Sequence, residues 1–449
     1  MSDNSSSLSI DAFFVPERRA RSDKARRLVA HLAVELEAWE KAHTPRQRRR
    51  RPDDQAKHER MVEAIVCDAL HCHLNDSTIS VAVSLGRQQR SRYEPRPYEP
   101  MKELLTRLGP EGIGALTVEW GVRPEKGKGR RTTFAASPRL VQLASGLSFA
   151  DFGRRSGGEP IILRNTKTTV ARHQSEELPD PFDTYAQTGA MLNELISYTD
   201  DDVSNALRAE MHDINEALDN ADLSLSVSLS GRVDVGDRWL RRMFNNGRKD
   251  FCHGGRLAGG FWMDLPKEVR RTALTIGGDA VAEVDYAAMM PRLLYAHLGA
   301  TFPPEVDPYA IEGIPPKHRE GIKSLFAALL YGPSALKKWP RGVAQKFPPR
   351  SSLDTMIGHI KAQHPVVTEC FGTMVGFELM RTESDILVAV MRSCFAEGMT
   401  VLPIHDAVLC PASATDRVAT IMLKVFESRT GMQGVVKKQA PSVETLLVD

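Results

Sequence analysis

The sequence predicts an α+β protein in which antiparallel hairpins build a sheet and helices pack around it. Three observations carry this prediction. Thr272–Ile276, Gly277-Gly278-Asp279 and Val281–Asp285 read as strand, tight turn and strand. Two apolar runs, Thr400–Ile404 and Ala407–Cys410, flank a His-Asp corner and read as a second hairpin. Between them, Ile322, Leu325, Phe326 and Leu329 fall at i, i+3, i+4 and i+7, the buried stripe of a helix over His318–Leu330.

A chain of 449 residues is long enough for two or three domains, each with a sizeable core. No apolar run approaches the length of a bilayer span, and Met1–Asp11 is polar, so a cytoplasmic protein without a membrane partner is expected. The six cysteines show no CxxC spacing, which argues against a disulfide framework and a ribbon-type zinc site. Cys67, His71, Cys72 and His73 cluster at helical spacing and read as helix packing. The net charge of +2 conceals two basic runs, Arg18, Arg19, Arg21, Lys24, Arg26 and Arg27, then Arg46, Arg48, Arg49, Arg50 and Arg51. Such runs suit phosphate backbones, and a solvated arm has the same composition.

Residues 1–57 read as a basic arm around one helix, about 22–42, ended by the arginine run and Pro52. Residues 58–152 form a second unit whose end has a readable order. Met101–Leu108 is helical, Ala115–Val122 a strand, Lys126–Arg131 a basic turn, Thr132–Ala135 a strand, and Pro138–Ala144 a helix with proline in its first turn. Helix, strand, basic turn and strand give a winged-helix-like DNA-binding domain; a small α+β domain with an exposed basic hairpin has the same order, and both readings stand. Residues 153–181, with Gly157, Gly158, Pro160, Pro179 and Pro181, read as a linker. Residues 182–230 are mostly helical, through Met191, Leu192, Leu195 and Ile196 and later Ile214 and Leu218. Residues 231–449 mix strands and helices, and Pro291 sits where a helix begins and Arg292–Leu298 continues it.

Chemistry concentrates in the last unit. Asp285 ends one predicted strand and Asp406 tips the second hairpin, so the two carboxylates converge if both hairpins join one sheet. Paired carboxylates bind Mg²⁺, which prefers oxygen ligands and keeps waters for substrate phosphates. Two such ions about 3.5–4 Å apart activate an attacking hydroxyl and stabilise a leaving oxygen. Arg319, Lys323, Ala327 and Tyr331 step by four along a second ridge of the 318–330 helix. Two cations one turn apart can hold a triphosphate, and a ring at the helix end can stack on a base.

These blocks resemble motifs A, B and C of the family A nucleotide polymerases, which include DNA polymerase I type enzymes and single-subunit phage-type RNA polymerases. The motif A pattern appears as Asp285-Tyr286 with Arg292. Motif B appears as Arg319, Lys323, Tyr331 and Gly332, and motif C as His405-Asp406. Gly255-Arg256-Leu257 with Leu265-Pro266, Asp307-Pro308-Tyr309, and Thr382-Glu383-Ser384-Asp385-Ile386 are similar to further segments of the family, so the resemblance covers about residues 250–411. It implies a right-hand palm with compact helical fingers in residues 231–449 and a thumb-like segment in 182–230. Asp285 and Asp406 would ligate two Mg²⁺ ions, with Mn²⁺ as a possible substitute, assisted by the Tyr286 main chain. Arg319 and Lys323 would hold the nucleoside triphosphate, with Lys323 also a proton donor to pyrophosphate, and Tyr331, Met290 and Tyr286 would line the nucleotide. Arg256, His405, Arg292 and Gly332 would face primer and template.

The chain departs from the DNA polymerases of that family at three positions. Met290 stands where they carry a glutamate that limits room at the sugar 2′ position, Ala327 where they carry an aromatic, and Ala407 where they carry a glutamate. Relaxed sugar discrimination is therefore expected, and no acidic constellation in the N-terminal half suggests a proofreading exonuclease. The expected protein is a compact, template-dependent DNA polymerase acting on a DNA template and primer, suited to a mobile element, plasmid or phage. A single-subunit RNA polymerase or primase-polymerase is the alternative enzyme, and a non-catalytic DNA-binding replication initiator or regulator the alternative of another class.

Overall fold

The computed structural model describes residues 11–83, 85, 92–93, 101–122, 130–154, 158–165, 195–226, 233–246 and 251–441. The architecture is α+β, with mainly antiparallel sheets.

The N-terminal unit comprises β1 (Asp11–Phe13), β2 (Arg18–Ala20), α1 (Asp23–His43), α2 (Pro52–Asn75), β3 (Ser80–Val83), α3 (Met101–Leu108), β4 (Leu116–Glu119), β5 (Thr132–Ala136), α4 (Pro138–Leu143) and β6 (Phe152–Arg154). The Ser22 hydroxyl caps α1 by accepting the Ala25 N–H, and Ala25, Leu28, Leu32 and Leu36 form its buried stripe. Helix α2 has proline in its first turn and is buried on every side from Ala64 to Cys72, as a central core helix must be. Its Cys67 and Cys72 are accordingly packing residues, and His71 is buried beside Asp234. A sheet in the order β1-β3-β5-β4 lies against it, with β1 parallel to β3.

The break expected at residue 57 is not a packing boundary. Helices α1, α2 and α3 share one hydrophobic core with Phe134 and Leu140. Glu40, buried near the end of α1, accepts Arg50 at 2.9 and 3.0 Å and Arg107 at 2.8 Å. Arg50 thereby pins the corner between α1 and α2, so the arginine run is a fixed turn that leaves Arg46, Arg48, Arg49 and Arg51 exposed.

The second unit begins inside the stretch expected to be a linker. There β7 (Ile161–Asn165) runs parallel to β9. Residues 166–181 lie outside the described residues, as do Lys126–Gly129 of the basic turn and the helical pattern at Met191 and Leu192. Leu195 and Ile196 are extended rather than helical, because Leu195 bridges Arg164 and Ile196 N–H donates to the Leu163 carbonyl. Helix α5 (Asp202–Asp219) follows, with an Asp201–Ser204 capping box. The 182–230 segment does not stay apart, because β8 (Leu223–Leu225) joins the main sheet.

Next come β9 (Leu240–Asn246), β10 (Gly254–Gly259), α6 (Phe261–Asp264), α7 (Lys267–Ala273), β11 (Leu274–Ile276), β12 (Asp279–Tyr286), α8 (Met289–His297), α9 (Arg319–Tyr331), α10 (Leu353–Gln363), α11 (Gly376–Ala396), β13 (Leu402–Ile404), β14 (Ala407–Pro411), α12 (Thr415–Thr430) and β15 (Val436–Gln439). The main sheet has the order β13-β14-β12-β11-β8, with β15 also on β12. Gly277 and Gly278, at φ 60° and 76°, make the two-residue turn between β11 and β12, where a side chain would be strained. Among the described residues no helix is long and apolar enough to cross a membrane.

Arg242 ties this unit together. It is fully buried and donates to the Gly255 carbonyl at 3.1 Å, Ser384 Oγ at 3.0 Å and Asp385 at 2.7 Å, joining the β9–β10 hairpin to α11. Arg242→Met should lower unfolding stability by about 3 kcal/mol, because it strands buried acceptors that the apolar chain cannot satisfy. Denaturant titration followed by tryptophan fluorescence measures this.

Candidate active site

The site is assembled on β12. Its residues 281–285 pair with β14, so that Asp285 stands opposite Ala407. Ala407 also pairs with Ile404, which leaves His405 and Asp406 as a two-residue turn. His405 takes a left-handed φ of 53°, as tight hairpins with the strand twist demand, and it is exposed at the tip. The Tyr286 N–H points at the Asp406 carbonyl across 3.5 Å. Asp285 and Asp406 are thus neighbours despite their separation in sequence.

Their electrostatics agree with that placement. Burial, then the charge of Asp406, then that of Glu283, pushes the Asp285 carboxyl up to about 7, while Lys323 and Lys267 pull it down. Glu283 shares the Asp285 face two residues earlier. One of its oxygens accepts Lys267 at 3.1 Å, and the other is buried without a hydrogen-bond partner among the described residues.

Helix α9 supplies the cations. Ile322, Leu325, Phe326 and Leu329 are buried, while Lys323 and Ala327 are exposed on the opposite ridge. Lys323 has no ion pair among the described residues, and its charge is felt at Asp285. Arg319 donates Nη2 to Asp307 at 3.0 Å and lies 5.1 Å from the Tyr309 ring centre. Burial alone would raise the Asp307 carboxyl; the Arg319 bond, a Tyr309 N–H and the charges of Arg319 and Lys437 hold it below the ordinary range.

Tyr331 closes the ridge. Its hydroxyl lies 3.8 Å from Met290 Sδ, and its ring meets Phe377 edge-on. Gly376 makes room for it, since a Cβ there would fall 2.7 Å from the ring. Burial pushes the phenol up to about 12, with Glu383 and Asp406 adding to the rise against Arg256. Arg256 grips the buried Glu383 through two bonds, 2.6 and 3.0 Å, and senses both Tyr331 and Asp406. Gly332 then ends α9, its N–H on the Ala328 carbonyl.

Two expected site residues are elsewhere. Arg292 is 3 % exposed and donates to the carbonyls of Ala287, Pro303, Pro304 and Val306, so it braces that loop and cannot face primer or template. The Tyr286 ring is buried against Phe426 and its hydroxyl donates to the Met422 carbonyl at 2.7 Å; only its main chain borders the site. Sequence reasoning overlooked Glu383 as the partner of Arg256, the Glu283–Lys267 pair, and Lys437. Glu383 was within sight, in the Thr382–Ile386 segment; Lys437 gave no local signal, because its place depends on a long-range strand pairing. A cavity of about 470 Å³ opens beside the start of α9, lined by Ile311, Ile314 and Ile322, and shares Asp307, Tyr309 and Arg319 with the site but neither Asp285 nor Asp406.

Among the described residues no group of three or more His, Cys, Asp or Glu could hold a metal ion. The donor set at β12 is a pair, Asp285 and Asp406. Burial first and then the Asp406 charge suppress the acidity of Asp285, and paired carboxylate oxygens of this kind are the donor type that a hard divalent cation retaining waters takes.

Asp285 makes a pH-dependent contribution in the metal-free protein. An unfolded carboxyl titrates near 3.8 and the folded one near 7, so stability is full below about pH 4 and falls as pH rises to 7. Asp285→Asn should therefore raise the metal-free protein's thermal midpoint at pH 8 and leave it unchanged at pH 4. Partial exposure and salt hold the gain to about 1–2 kcal/mol.

No protein-family model matches the chain, and no curated protein matches it.

Proposed function

We propose that this chain is a template-dependent nucleotidyltransferase, a compact DNA polymerase of family A type that uses two Mg²⁺ ions. The observation that carries the reading is the register of β12 and β14, which puts Asp285 beside Asp406 with Lys323 in the same field. The main sheet serves as a palm, α9 as the core of trimmed fingers, and α5 as a thumb-like element. The N-terminal unit, with its helix, hairpin strands and exposed arginines, serves as the DNA-binding region. The order α3, β4, β5 supports a winged-helix-like reading, while β1 and β3 enlarge the sheet beyond that module.

Phosphoryl transfer of this kind is mostly positioning and charge neutralisation. Asp285 and Asp406, with the Tyr286 main chain, would hold the ions, which supply Lewis-acid activation of the primer hydroxyl and of the leaving oxygen. Arg319, held by Asp307 and Tyr309 and with Nη1 only loosely on the exposed Glu320 at 3.4 Å, would turn that Nη1 edge to the distal phosphates. Lys323 neutralises the reacting phosphate and can give its proton to pyrophosphate. Tyr331 presents its ring to the nascent pair, and Arg256, held by Glu383, steadies the primer end. Asp406→Asn should cut primer extension at least 10³-fold while DNA affinity and thermal midpoint stay near wild type. Loss of DNA binding in parallel would sink the assignment.

The contact between Tyr331 and Met290 favours relaxed sugar choice. A thioether is a weak acceptor, so the Tyr331 hydroxyl is left to meet a sugar hydroxyl. This same contact is what an RNA polymerase or primase-polymerase reading would use. Incorporation of ribo- and deoxynucleotides on one primed template should differ by less than about tenfold. Exclusive use of deoxynucleotides would overturn this; synthesis without primer would move the assignment to the second reading.

A further inference from the structure

We infer that Lys437, on the last strand, is a third cation for the triphosphate of the incoming nucleotide, completing a cradle with Arg319 and Lys323. The inference rests on the nucleotidyl-transfer reading and deepens it. Strand β15 pairs antiparallel with β12, and Lys437 stands directly opposite Asp285. Directly opposed residues of an antiparallel pair project from one face, with Cβ atoms about 4.5–5.5 Å apart. Lys437 therefore rises from the face that carries Asp285 and Glu283. Alternation sends its neighbour the other way: Lys438 opposes Val284 and binds Asp416 at 2.6 Å.

Lys437 is exposed and has no ion pair or hydrogen bond among the described residues. Its charge reaches Asp307, the carboxylate that holds Arg319. Lys437 thus stands on the Asp285 face of the sheet and within electrostatic reach of the Asp307–Arg319 pair. A triphosphate with its reacting phosphorus at Asp285 and its tail at Arg319 would pass within that reach. The tail carries several negative charges, and Arg319 is already engaged by two carboxylates, Asp307 and Glu320. Among the described residues Lys323 and Lys437 have no carboxylate partner, and they flank the path from two elements, α9 and β15. The plain alternative is that Lys437 guards an edge strand against stray pairing, a common use of edge lysines. That role would serve Lys438 equally.

The discriminating experiment titrates inorganic tripolyphosphate, with Mg²⁺, into the full chain by calorimetry, alongside steady-state primer extension. Lys437→Gln should weaken tripolyphosphate binding roughly tenfold and raise the nucleotide KM to match, with kcat within about twofold. Lys437→Arg should recover most of the loss, and Lys438→Gln should change neither number. Thermal midpoints of all three variants should match wild type. If Lys437→Gln binds tripolyphosphate as well as wild type while Lys323→Ala does not, the third cation is refuted and the nucleotidyl-transfer reading survives. If wild type neither binds tripolyphosphate nor extends a primer, both fall together.

Discussion

The site depends on one constraint, the capture of β12 along both edges. Strand β14 takes one edge over residues 281–285, while β11 and β15 divide the other. Because side chains alternate along a strand, this double pairing fixes which face each residue of β12 occupies. Glu283 and Asp285 share a face with Ala407 and Lys437, whereas Val284 and Tyr286 face α12, where Phe426 and the Met422 carbonyl receive the tyrosine. A slip of one residue would exchange the two sets, burying the carboxylate against Phe426 and exposing the ring. The apolar contacts of the tyrosine side therefore set the position of the acidic side. Ala407, small and directly opposite Asp285, leaves the carboxylate unobstructed.

The same logic joins the two units. Arg18 is 5 % exposed, binds Asp68 of α2 at 3.2 Å, and crosses to Asp234 at 3.0 Å; His71 lies 3.4 Å from the same Asp234 oxygen. Burial would disfavour the Arg18 charge, but Asp68 and Asp234 outweigh it and keep the guanidinium charged. The loop that carries Asp234 continues to Arg238, whose guanidinium meets the last carbonyls of α5, Leu218 and Asp219 among them. A chain of hydrogen bonds thus runs from the N-terminal core to the end of α5. A nucleic acid held by the N-terminal unit would stand in a set relation to the sheet bearing Asp285, rather than on a loose tether.

Local patterns were the most readable part of the sequence. The Gly277-Gly278 turn, the His405-Asp406 corner and the α9 stripe each follow from residues within one turn or hairpin, and the structure has them at or within a few residues of the expected places. What was unreadable is what depends on distant partners. Arg50 looks like one of a run of solvated arginines until Glu40 and Arg107 are seen around it. Ile161–Asn165 sits in a glycine- and proline-rich stretch, and only β9 makes it a strand. Arg292 has the spacing of a site residue, but the carbonyls of Pro303, Pro304 and Val306 converge on its guanidinium and draw it inward.

Charge in the site falls into two classes, and the division bears on how it would work. Arg256, Lys267 and Arg319 each have a carboxylate partner, Glu383, Glu283 and Asp307, so their positions are fixed before any ligand arrives. Asp285, Asp406, Lys323 and Lys437 have no ion-pair partner among the described residues, and they oppose one another only through space. Burial and the charges of Asp406 and Glu283 raise the Asp285 carboxyl at a cost that Lys323 and Lys267 offset only in part. A cation settling on the two aspartates would remove that cost and leave the two lysines facing an anion. Metal and polyphosphate would then each improve the site for the other, a coupling that arises because the paired charges are already neutralised and the unpaired ones are not.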